Sequence, residues 1–199
     1  MMLWKDPPAE TDRLRWIELP RLIAVLSVFV FINQGAFKGF FIHDDFTWLI
    51  YSRFGSFPEY LQCFFRFNDF GVYRPLSQET FFWLGQKLFG LWAPGFHLVN
   101  VTAHLLASSL VYLLLRRFCS PVPSLAGTAI FALHGAHLLS VYWISALPEP
   151  LALVFFLSAL LGFITFDQNS DRRAYVFSIA AMVLGMMSKE SILSLGWSF

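Results

Sequence analysis

Apolar runs close to twenty residues long recur along this chain, and they restrict its fold more than any other feature. A helix needs about 20 mainly apolar residues to cross a bilayer core, and there only intrahelical bonds can satisfy the backbone. Stretches near that measure occupy residues 20–41, 95–115, 124–141, 150–166 and 174–187. Only 14% of the residues are charged, against about one quarter in an average soluble domain. The chain therefore reads as an all-α polytopic membrane protein with about five transmembrane helices, and the lipid bilayer is its first partner. A net charge of +1 leaves no electrostatic footprint for nucleic acid.

Residues 1–19 read as a cytoplasmic tail with a short interfacial helix over 11–19, and residues 20–199 as one transmembrane domain. The first apolar run starts late and is long, which suits a retained signal anchor better than a cleaved signal peptide. Arg116-Arg117 and Arg172-Arg173 fall on the same side as Lys5, Arg13 and Arg15. The positive-inside rule then puts the N-terminus in the cytoplasm. The segment 43–94 becomes an external loop, facing the periplasm, the cell exterior or the ER lumen. Cys63 and Cys119 form no metal or redox motif and lie on opposite sides, so no disulfide joins them.

The external loop is crowded with aromatics yet interrupted by Arg53, Glu59, Arg66, Asp69, Arg74, Glu79 and Lys87. That composition predicts amphipathic helices lying in the interface over 46–53, 58–67 and 76–89. Directly after the first span stand His43, Asp44 and Asp45. Paired acids at the mouth of a membrane helix are costly in apolar surroundings, so they mark a candidate aqueous site. Asp44 or Asp45 suits a general base, and the two together suit a divalent cation through oxygen ligands. His43 is a neighbouring hydrogen-bond donor. The dull alternative is an ordinary helix end that meets water.

Other candidates share that external face. Arg74, after Tyr73, offers a planar fork for phosphate or an anchor at lipid headgroups. His97, Asn100 and His104 lie on one helical stripe. Asn100 and His104 read as glue between helices, and His97 as a substrate contact. His134 and His137 have i, i+3 spacing but lack a third ligand for a metal. Glu149 sits between Pro148 and Pro150, and Lys189-Glu190 follows the last apolar run. Lys189 offers phosphate a point charge, or makes only a surface pair with Glu190.

These stretches resemble the GT-C superfamily of membrane glycosyltransferases, above all the transmembrane O-mannosyltransferase-like proteins that often carry TPR repeats. The likeness rests on His43-Asp44-Asp45-Phe46, Tyr73-Arg74-Pro75-Leu76, Phe96-His97-Leu98-Val99-Asn100 with His104, His134-Gly135-Ala136-His137 and Ser188-Lys189-Glu190, in that order. It implies a partial GT-C fold, the N-terminal half of such an enzyme. It also implies inverting transfer of a sugar, a hexose such as mannose, from a polyprenyl-phosphate donor to a hydroxyl of a protein or glycan. Asp44 and Asp45 occupy the place of the family's catalytic base or metal ligand. Tyr73 and Arg74 occupy that of an acceptor- or phosphate-side motif, and His137, Glu149, Lys189 and Glu190 fall on the substrate side. The chain departs from the family where Leu139 replaces an acid after His137, and where only Glu149 survives of a Gly-Arg-x-Glu-like element. An inactive truncated protein or scaffold, and a transporter, are the competing readings.

Overall fold

The computed structural model describes residues 11–192, and the tail residues 1–10 lie outside the described residues. The described chain is helical throughout, with no strand. Helix α1 (Thr11–Ile32) leads into a 3-10 turn (Gln34–Lys38). Short helices α2 (Asp45–Tyr51) and α3 (Phe57–Gln62) follow, then a π-helical segment (Pro75–Thr80) that continues into α4 (Phe81–Phe89). The bundle proper comprises α5 (Ala93–Leu115), α6 (Pro121–Leu133), α7 (Leu138–Tyr142), α8 (Pro148–Asn169) and α9 (Arg172–Met186).

Two helical stretches, Ala93–Leu115 and Ile144–Asn169, are long and apolar enough to cross a membrane. The pair Pro121–Leu133 and Gly135–Tyr142, bent by 45°, adds a third if it forms one span. The other two expected spans do not meet that measure. Every 18-residue window of α1 contains Arg15, Glu18 and Arg21, and the 15 residues of α9 rise only about 22 Å against a core of about 30 Å.

The first helix differs in extent from its sequence reading. It begins at Thr11, runs through Pro20 and stops at Ile32, so the expected interfacial helix over 11–19 is continuous with it. At the stop Asn33 donates to the Phe29 carbonyl through both its backbone N–H and its Nδ2 (3.0 Å each), and the chain goes on as the 3-10 turn. Beyond the turn, Gly39 passes so close to α5 that a Cβ there would lie 2.8 Å from His97 Nε2. Only glycine permits that approach.

Helix α5 is central, touching α1, α4, α6, α7 and α8, while α9 packs on α8. The α8–α9 hairpin turns at Ser170, whose φ of 54° is left-handed. It closes tightly because a Cβ on Gly162 would meet the Ala174 carbonyl at 3.1 Å. Ser178 Oγ also donates to the Ala159 carbonyl at 2.7 Å. At the end of the bundle away from Asp44, Arg116 and Tyr112 of α5 both donate to Glu18.

The expected helices at 46–53 and 76–89 appear as α2 and the π-segment with α4, whereas the one expected at 58–67 is cut short: α3 ends at Gln62 and residues 63–65 form turns. Tyr60 of α3 stacks on Trp83 of α4 (centroids 4.0 Å apart), and Lys87 sits over the same indole at 3.8 Å. Exposed Phe57, Leu61, Phe65 and Leu88 remain on the outside of this subassembly. Such a concentration of bare apolar side chains suits contact with lipid better than with water.

Both cysteines are free, Cys119 exposed and Cys63 buried. Burial raises the Cys63 thiol to about 12. In the folded protein Cys63 is therefore expected to resist an alkylating reagent at pH 8 while Cys119 reacts, and Cys63 should label only after denaturation. Mass spectrometry of labelled peptides checks this. The folded state holds the Cys63 proton more tightly than the unfolded chain, so its contribution to stability is present below pH 9.0 and is lost as the pH rises towards about 12.

Candidate functional site

Several of the sequence candidates meet at one cavity of about 530 Å³. Asp44, Arg74, His137 and Glu149 line it, together with His104 from the helical stripe. Lys189 and Glu190 reach its rim by ion pairs with Glu149 and Arg74. His43, Asp45, Tyr73 and His97 do not line it.

Asp44 arrives there through a strained turn. His43 adopts φ 48°, a left-handed conformation uncommon for a residue with a side chain. Asp44 itself makes no capping hydrogen bond on α2, and its side chain is exposed. Asp45 turns the opposite way and is fully buried. Its Oδ2 accepts from the Ile42 amide (2.9 Å) and its Oδ1 from the Ser145 amide (2.7 Å), with the Ser145 hydroxyl as a further donor to Oδ1. Burial raises the Asp45 carboxyl above the usual carboxylate range, against the lowering effect of these donors. The adjacent acids thus have separate environments, one facing the cavity and one clamping two distant loops.

Asn100 braces the same wall from below. Its Nδ2 donates to the carbonyls of Ser140 (3.1 Å), Trp143 (2.9 Å) and Ile144 (3.2 Å). The glue reading of Asn100 is therefore specific: it grips the end of α7. His97, expected to touch substrate, is buried, and its Nδ1 lies 3.2 Å from the Val141 carbonyl. His104 Nε2 lies 3.1 Å from the Ala132 carbonyl, and its ring is 4.9 Å from that of His137. His134 accepts from the Ala136 amide (3.1 Å), capping the turn after α6.

Arg74 enters from the π-segment. Pro75 has no N–H to give and excludes α geometry for the residue before it, and Arg74 accordingly sits at φ −140°. Its guanidinium grips Glu190 through two nitrogens, one bond measuring 2.9 Å. The π-segment docks on the chain after α9: the Leu76 amide donates to the Met187 carbonyl (3.2 Å) and the Ser77 hydroxyl to the Ser188 carbonyl. This docking brings Lys189 and Glu190 to Arg74 across more than a hundred residues. Glu190 is held below its ordinary range by the Arg74 bond, and the Lys189 ammonium is lowered by burial and by Arg74. Tyr73 instead donates to the Phe64 carbonyl (2.9 Å), a structural contact.

Among the described residues no group of three His, Cys, Asp or Glu side chains is arranged to hold a metal ion. The oxygens of Asp45 are committed to the donors above, which leaves Asp44 as the member of the pair offered to the cavity. Residues that the sequence reading passed over also line it: Gln78, Trp143 and Ser145. Gln78 lies four residues after Arg74, and its amide bonds the Arg74 carbonyl (3.1 Å), so helical spacing from Arg74 was a usable signal. Nothing in the sequence marked Ser145.

Residues 74–199 match the family model described as dolichyl-phosphate-mannose-protein mannosyltransferase. A relative, "Protein O-mannosyl-transferase Tmtc1" of Drosophila melanogaster, is 30% identical over 125 residues, which cover 62% of this chain and 14% of that protein. The chain thus spans a small part of that relative's length. No solved structure matches. The apolar helices and the family together assign the chain to a membrane.

The clamp predicts a coupled loss of stability. Ser145→Ala should cost about 1–2 kcal/mol and Asp45→Asn about 2–3 kcal/mol, because hydrogen bonds to a charged group are the stronger kind. The double variant should lose less than the sum of the two, since both changes remove the same bond. Thermal unfolding of the four proteins in one detergent measures the cycle.

Proposed function

We propose, from the premise that the chain belongs to the dolichyl-phosphate-mannose-protein mannosyltransferase family, that it carries the sugar-transfer face of a GT-C-type glycosyltransferase. The donor is a polyprenyl-phosphate sugar, with mannose the sugar suggested by the family. The acceptor is a hydroxyl, on a protein as in the relative's name. The reaction takes place on the external face of the membrane, with the N-terminus in the cytoplasm.

The observation that carries this reading is the cavity. It joins a free carboxylate, Asp44, to the cationic side chain of Arg74 within one volume large enough for a phosphosugar headgroup. Transfer with inversion needs a base on the acceptor hydroxyl and positive charge near the departing phosphate. In our reading Asp44 takes the hydroxyl proton as the acceptor oxygen bonds to the anomeric carbon. The bond from that carbon to the phosphate oxygen breaks, and Arg74 and Lys189 receive the charge on the leaving polyprenyl phosphate. Glu149 and Glu190, which pair with these cations here, must yield to the phosphate. The prenyl chain stays among the apolar helices, which accounts for a site at the mouth of the bundle.

Transfer from labelled dolichyl-phosphate mannose, in membranes containing the chain, tests the proposal. Asp44→Asn should lower turnover by about 10²–10⁴, the usual weight of a general base, and leave donor binding nearly intact. Arg74→Lys should instead weaken donor binding, because it keeps the charge and loses the bidentate fork. Near-normal transfer by Asp44→Asn at unchanged protein level would overturn Asp44 as the base.

A further inference from the structure

A carboxyl group buried without donors is costly as the anion and far less so as the neutral acid, so it keeps its proton. Glu79, on the π-segment, is such a group. It is 3% exposed, and its Oε2 is buried with no hydrogen-bond partner among the described residues. Asn68, in the preceding loop, spends its Oδ1 on the Phe70 and Val72 amides, while its buried Nδ2 stays unbonded.

The charges around Glu79 do not relieve it. Arg66 is the cation whose field reaches it, and that side chain is exposed, so water screens it. The thiol of Cys63 and the phenol of Tyr73 lie near it as well, the thiol buried and the phenol donating to the Phe64 carbonyl. Three helices also pack on the π-segment. Helix α2 brings Asp45, already bound to Ile42 and Ser145, and Tyr51, whose hydroxyl accepts from the Asp69 amide. Helix α4 brings Lys87, seated over Trp83, and α8 brings Glu149, paired with Lys189. Burial accordingly raises the Glu79 carboxyl above the usual carboxylate range, against smaller lowering contributions from its own amide, the nearby Asn68 amide and Arg66.

Glu79 stands between the points that hold the segment in place. Before it, the Leu76 amide and the Ser77 hydroxyl donate to the Met187 and Ser188 carbonyls. After it, the Thr80 and Tyr60 hydroxyls lie 3.0 Å apart. π-helical turns are rare and occur often at functional sites. We propose that Glu79 is a proton-controlled latch: as the neutral acid it stays seated against residues 63–73, and on losing its proton it turns towards water and loosens the π-segment, with the docking that brings Lys189 and Glu190 to Arg74. The latch is independent of the transfer reaction proposed above. The folded chain holds this proton more tightly than the unfolded chain, so its stabilisation is complete below pH 4.5 and is lost as the pH rises through the raised folded value.

Equilibrium unfolding and hydrogen exchange of the full chain in one detergent, from about pH 4 to 9, test the latch. Glu79→Gln has the shape of the neutral acid and cannot ionise. The unfolding constant of the unmutated chain should rise relative to the variant's by about tenfold per pH unit, the weight of one proton, and the two should run parallel once the pH passes the raised value. Exchange at residues 74–80 and 187–190, corrected for the intrinsic rate, should accelerate with pH in the unmutated chain more than in α5, and should not do so in Glu79→Gln. Equal pH profiles for the two proteins would overturn the latch, as would a difference in unfolding with no local acceleration at those segments. If Glu79→Gln does not fold, exchange in the unmutated chain decides: acceleration confined to 74–80 and 187–190 supports the latch, and a flat profile there refutes it. None of these readouts involves a sugar donor, so failure of the transfer reaction leaves the latch standing and failure of the latch leaves the transfer reaction standing.

Discussion

The buried carboxylate of Asp45 is the contact on which the site depends. It accepts from Ile42, at its own turn, and from Ser145, a hundred residues away. Without it the loop carrying Asp44 would have no fixed relation to the wall carrying Trp143 and Glu149. Hydrogen bonds to a charged group contribute about 1.5–3 kcal/mol each, and a buried partner left unpaired costs a similar amount. The carboxylate is therefore held only because all its donors are present together. Its neighbour Asp44, one residue earlier, faces the opposite way and remains available for chemistry.

Electrostatics divides the cavity in the same manner. Two cations, Arg74 and Lys189, are each matched by a carboxylate more exposed than themselves: Glu190 at 54% against Arg74 at 21%, and Glu149 at 56% against Lys189 at 18%. In the proposed reaction the less exposed partner of each pair is the one that meets the phosphate. Exposed ion pairs contribute little to stability, about 0–1 kcal/mol, so exchanging a carboxylate for a phosphate is inexpensive. The π-segment makes this possible, because its docking on Met187 and Ser188 brings the end of α9 to the first loop.

Around the site the bundle supplies rigidity from close approach. Gly39 lets the turn after α1 lie against His97, and Gly162 lets α9 lie against α8. Asn100 spends one amide group on three carbonyls at the point where α7 ends; those of Trp143 and Ile144 also accept from the Ala146 and Leu147 amides, so the side chain serves their second lone pairs. In an apolar surrounding those acceptors have no water to turn to, which is why a single buried amide matters so much there.

Much of this could be read directly from the residues. Apolar runs fixed an all-helical membrane architecture, because a bilayer admits few alternatives, and the acids, Arg74, His137 and Glu149 were recognisable as polar groups in places where polarity is costly. Their division of roles was not readable. Asp44 and Asp45 are the same residue type in adjacent positions, and only the backbone turn at His43 decides which faces the cavity. His97 looked like a ligand and proved buried against Val141, whereas Gln78 and Trp143 looked unremarkable and line the cavity. Local sequence sets composition, helix propensity and the polarity of each face. Which side chains share a volume depends on contacts over a hundred residues apart, such as Asp45 with Ser145 and Ser77 with Ser188, and those exist only once the helices have packed.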